Sequence, residues 1–88
     1  MIRRTLHFEQ RKKQRGLREE VLRFIIDHGE MHPAKGAAMI LVEKRRLPSG
    51  LKESSLAHRA AQWLLIMKDT DLITCYRSRK PIRYLLAA

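Results

Sequence analysis

Eighty-eight residues and 10.4 kDa leave room for one small domain. Nineteen Lys and Arg against nine Asp and Glu give a formal net charge of +10 and a pI near 10.7. That excludes an acidic mimic of nucleic acid and points to a polyanionic partner. A hydrophobic fraction of 44% supports a core, so the chain is not merely a disordered basic tail. The single cysteine, Cys75, excludes an intramolecular disulfide and fits a reducing compartment. The longest apolar runs, Ala37 to Val42 and Trp63 to Met67, are far too short to span a bilayer. The basic start lacks the apolar stretch of a secretory signal. The expectation is a soluble cytoplasmic protein without membrane contact.

The charge is unevenly placed. Residues 1–18 carry a net +6, 19–43 a net −3, 44–59 a net +4, 60–76 a net −1 and 77–88 a net +4. A merely soluble domain intersperses its signs. Three basic blocks suit three contacts with one phosphate backbone, provided that the fold gathers them on one side.

In chain order, residues 1–16 show little periodicity and read as a basic N-terminal arm, mobile or partly helical, ahead of a domain at 17–88. Leu17, Val21, Leu22, Phe24, Ile25 and His28 share one broad helical face, which predicts helix one. Glu19 and Glu20 suit its positive end, and Gly29 stands where a C-terminal cap belongs. A short extended link, Gly29 to Pro33, precedes helix two, which runs through Ala34, Ala37, Ala38, Ile40 and Leu41. Pro48, Ser49 and Gly50 break the chain between Lys44 and Lys52.

Helix three begins near Glu53 and Ser54. Its polar stripe would be Ser55, His58, Arg59 and Gln62, with Trp63 at the border and Ile66 the one clear apolar residue on that stripe. Asp69-Thr70-Asp71 closes it. Leu72 to Tyr76 and Ile82 to Leu86 flank a basic link and predict a β-hairpin. Either Ile73/Cys75 or Leu72/Tyr76 would face inward.

This order resembles a winged helix-turn-helix domain: α+β, mostly α, with three helices and a C-terminal hairpin wing. The resemblance is carried by HGEMHPAKGAAMIL, by LAHRAAQWLLIMKDTDLITC as a recognition helix running into a wing strand, and by RSRKPIRYLL as a basic wing. The size and the helix-to-wing spacing are similar to the small winged-helix regulators of bacterial fimbrial operons (PapI and FaeA type). The link from Lys44 to Lys52 departs from the pattern, being longer than the usual turn.

The resemblance implies a sequence-specific double-stranded DNA-binding regulator of transcription, bacterial or phage-borne and associated with the nucleoid. Helix three would enter the major groove, with Arg59 on guanine, Gln62 on adenine, and Ser54, Ser55 and His58 on bases or phosphates. Lys44, Arg45, Arg46 and Lys52 would grip the backbone beside it. Arg77, Arg79, Lys80 and Arg83 would place the wing, and Arg11, Lys12, Lys13 and Arg15, with Arg3 and Arg4, would reach a further groove. Specificity from so small a surface favours a homodimer or a larger protein partner.

An enzyme is not expected. No nucleophile has an evident base, and no glycine-rich phosphate loop is present. Gly29 and Pro33 break the helix that would align His28 with His32, so neither a metal nor a cofactor is expected. RNA or ribonucleoprotein binding is the first alternative. The second is a protein-interaction adaptor anchored on Trp63 and Ile66.

Overall fold

The computed structural model describes residues 2–78. The chain begins with strand β1 (Arg3–Arg4), helix α1 (Leu6–Arg15) and helix α2 (Glu19–His28). Strands β2 (Glu30–Ala34) and β3 (Ala37–Leu41) follow, then a 3-10 turn at Lys44–Arg46. Two short helices, α3 (Ser49–Lys52) and α4 (Ser55–Ala60), lead to β4 (Trp63–Lys68) and β5 (Asp71–Arg77). The strands form one five-stranded sheet in the order β1-β5-β4-β3-β2. Only β1 and β5 run parallel, so the sheet is mixed.

This architecture overturns the winged-helix expectation. It is an α+β domain with far more strand than three helices and a wing would have. Predicted helix two is the β2–β3 hairpin. Its two-residue turn, Lys35-Gly36, is possible because Gly36 takes a left-handed φ of 68°. Predicted helix three is only the six-residue α4, after which the chain extends into β4. Asp69-Thr70 is not a helix stop but the turn of the β4–β5 hairpin, with Asp69 at φ 56°. β5 pairs with β4, and the other half of the predicted hairpin, Ile82–Leu86, lies outside the described residues.

The reason is burial on both sheet faces. Trp63, Leu65 and Met67 join Ile40, Leu72, Cys75 and the apolar residues of α1, α2 and α4 in the main core. Leu64 joins Met39 and Leu41 in a second cluster, with Ile66 packed against it. A strand buried on both faces reads as a continuous apolar run, which periodicity alone cannot distinguish from a buried helix. Among the described residues, no helix residue belongs to the second cluster.

Predicted helix one is present as α2, and Gly29 does follow it. There Gly29 is extended at φ −73°, its N–H donating to Ile25 O. It is small for a packing reason: an added Cβ would lie 2.3 Å from Ile25 O and 2.9 Å from Ile40 Cγ2.

The basic N-terminal segment is built into the domain. Arg3 pairs with Asp71 in the sheet. The Thr5 hydroxyl caps α1 by accepting from Phe8 N–H and donates to Leu72 O at 2.7 Å. Phe8 is fully buried in the core, and Gly16 ends α1 in the left-handed region at φ 74°.

Candidate nucleic-acid interface

Helix α4 positions the central part of the surface. The Ser54 hydroxyl accepts from Ala57 N–H and donates to Leu51 O, so it is committed to capping rather than to a ligand. Ala57 and Ala60 are buried against α2, which turns Ser55, His58 and Arg59 outward. Immediately beyond α4, Ala61-Gln62 carries the chain into β4, where Trp63 pairs with Arg77 at the end of β5. The folding of these apolar positions therefore brings Arg59, Gln62 and Arg77 to one end of the sheet.

These three residues line a cleft of roughly 180 Å³ together with Arg18, Gly16, Val21 and Trp63. Arg77 Nη2 donates to Gln62 Oε1 at 3.3 Å. Arg59 comes no closer than 3.9 Å to Glu20, and neither Arg18 nor Arg77 has a carboxylate partner among the described residues. Three guanidinium groups thus border one concavity whose lining contains no acid. Such a site suits an oxyanion, because planar guanidinium forks match phosphate geometry.

The positive surface continues on both sides. Gly16 and Arg18 also line a wider groove with Glu9, Gln10, Lys12, Lys13 and Leu17. Within it, Lys12 is 3.3 Å from Glu19 and Lys13 has no ion-pair partner among the described residues. On the other side of α4, Lys44 Nζ lies 2.6 Å from His58 Nδ1, which joins the 3-10 turn to the helix. The two grooves share Gly16 and Arg18 and thus place Arg59, Arg77 and Arg18 alongside Lys12 and Lys13. With Lys44 and His58 on the other flank of α4, they form one basic ribbon.

Several predicted contacts are spent elsewhere. Arg45 and Arg46 turn to Glu43, and Arg46 also reaches Glu30 at 3.0 Å. Arg11 meets His7 and Gln14. Arg3 and Arg4 are paired with Asp71 and with Glu9 and Glu19, respectively. Arg15 donates to Cys75 O at 2.8 Å, and its guanidinium sits 4.6 Å from the centroid of Tyr76. Lys52 lines neither groove. Arg79, Lys80 and Arg83 lie outside the described residues.

Trp63 is buried in the core, whereas Ile66 is half-buried against the second cluster. Arg18 was not singled out by sequence reasoning. Its only signal was membership of the first basic block, since nothing in the sequence joins it to Arg59 and Arg77.

Comparison with protein-family models, with curated proteins and with solved structures yields no match. None of them identifies a winged helix or a fimbrial-operon regulator. Among the described residues no helix is long and apolar enough to cross a membrane.

Proposed function

We propose that this domain binds double-stranded DNA through the ribbon centred on α4, chiefly by its phosphates. The observation that carries the reading is the cleft bordered by Arg18, Arg59 and Arg77 without an acidic side chain in its lining. Phosphate contacts dominate protein–DNA affinity and release counterions as they form. Lys44 and His58 on one flank, with Lys12 and Lys13 on the other, supply further contacts to the same polyanion.

Base reading falls to a small set of side chains. Six residues of α4 are about 9 Å long, too short to run along a major groove as a full recognition helix does. Ser54 is committed to capping and Gln62 accepts from Arg77, which leaves Ser55, His58 and Arg59 as the exposed groups of α4. Site-specific binding of this kind is what a transcriptional regulator requires.

Single-stranded nucleic acid is the second reading, favoured by Tyr76. This residue is 40% exposed and lies beside Arg77, with the Arg15 guanidinium already against its ring. An exposed aromatic among arginines is a stacking platform for an unpaired base.

Titration with a short duplex at rising salt tests the proposal. The log–log slope should steepen by about −0.9 for each phosphate neutralised. Arg18→Ala, Arg59→Ala and Arg77→Ala should each weaken binding and each reduce that slope by about one contact. Equal affinity of all three variants and wild type would remove the reading. Preferential binding of single strands, lost in Tyr76→Ala, would transfer it to the second.

A further inference from the structure

Strand β2 places Glu30 and His32 two residues apart, so their side chains stand on the same sheet face. Glu30 pairs with Leu41 on β3, and Glu43 follows Leu41 by two further residues. Alternation thus brings the three side chains together at the β2 side of the sheet. Each offers one ligand atom, and these atoms lie within 4.8 Å of one another.

Glu30 Oε2 and His32 Nε2 are 3.6 Å apart. Both are shut off from solvent, and neither has a hydrogen-bond partner among the described residues. That separation is too long for a hydrogen bond. In the neutral ring with its proton on Nδ1, two lone pairs face each other across the gap. Buried acceptors left in this way are costly. A cation between them would satisfy both.

We infer that Glu30, His32 and Glu43 form a three-ligand site for a divalent transition-metal ion of the Zn²⁺ class, with a fourth position open to water. Zn²⁺ takes His nitrogen and carboxylate oxygen at about 2.0–2.2 Å, which sets tetrahedral donors roughly 3.3–3.5 Å apart. The pair at 3.6 Å is close to that spacing. Calcium and magnesium prefer sets made wholly of oxygen, so the imidazole selects against them.

Both carboxylates are held from outside. Arg46 Nη1 is 3.0 Å from Glu30 Oε1, and Arg46 Nε and Arg45 Nε are each 3.2 Å from Glu43 Oε2. These contacts orient the carboxylates as outer partners do at metal centres. They also offset the carboxylate charge, so binding should be weaker than at a thiolate zinc site.

Calorimetric titration of the full chain with Zn²⁺ alone tests the inference. Wild type should take up one ion and show a higher melting temperature in its presence. His32→Ala and Glu43→Gln should each weaken uptake at least tenfold, the lower end of the loss seen when even an orienting partner is removed. His28→Ala, on exposed helix outside the cluster, should leave it unchanged. Circular dichroism without metal checks that each variant folds. If Glu43→Gln does not fold, His32→Ala decides, because His32 Nε2 makes no hydrogen bond to lose. No saturable uptake by wild type, or undiminished affinity in folded His32→Ala, overturns the site. Either result leaves phosphate binding at the Arg18–Arg59–Arg77 cleft untouched.

Discussion

Arg4 and Glu19 meet in two parallel hydrogen bonds, Nη1 to Oε2 at 2.6 Å and Nη2 to Oε1 at 2.8 Å. This fork ties the end of β1 to the first turn of α2, with Lys12 of α1 3.3 Å from the same carboxylate. The hydrogen bonds from Arg4 hold the Glu19 carboxyl down at about 2, against partial desolvation and with help from Lys12. A depressed carboxyl contributes stability above its unfolded value of about 4.5 and loses it as pH falls toward 2.

Glu19→Gln should therefore lower the urea midpoint at pH 7 and converge on wild type between pH 4.5 and pH 2. Both side chains are partly exposed and solvent screens them, so the effect at pH 7 should be at most about 1 kcal/mol. A difference constant across that range would show that the fork is not its source.

Phe8 decides whether the N-terminal segment is part of the domain. Its ring is fully buried among residues of the main core. Phe8→Ala should cost about 3–5 kcal/mol in thermal or chemical unfolding. That is a large share of the roughly 5–15 kcal/mol a domain holds. A loose arm would register almost nothing.

Gly29 and Gly50 form a matched pair of tests. A methyl group at Gly29 meets the Ile25 carbonyl and the Ile40 side chain, whereas at Gly50 it meets nothing within 4 Å. Gly29→Ala should destabilise by about 1–3 kcal/mol through overpacking. Gly50→Ala, inside α3, should be neutral or slightly stabilising. Denaturant midpoints for the two variants give the comparison directly, and similar values would contradict the close approach of α2 to β3.

Cys75 is fully buried, and desolvation pushes its thiol up, only partly opposed by Arg15, Lys12 and Arg11. A disulfide reagent should react negligibly with the folded protein and rapidly in denaturant. Fast reaction under native conditions would mean that β5 opens locally, since α1 packs directly on that strand.

Residues that keep one periodicity were legible in the sequence. Val21, Leu22, Phe24 and Ile25 lie on one face of α2, as their spacing implies, because a helix packed on one side has a single apolar stripe. The concentration of cations in residues 1–18, 44–59 and 77–88 was also visible as net charge. Local pattern carried no further where both faces of an element are covered. Trp63 to Met67 supplies apolar side chains to two clusters, and its one symptom on a helical reading was Ile66 on the polar side.

What only tertiary structure decided is shown by β5. The register steps over Ile73 between Ile66 paired with Thr74 and Met67 paired with Leu72. Leu72 and Cys75 consequently both face the main core, although strict alternation would set them on opposite faces. The cleft has the same origin. Arg18, Arg59 and Arg77 are scattered along the chain and meet because α2 packs on α4 while β5 pairs with β4. Composition sets how much charge this protein carries and short-range spacing sets α2; long-range packing, which neither encodes locally, sets which charges become neighbours.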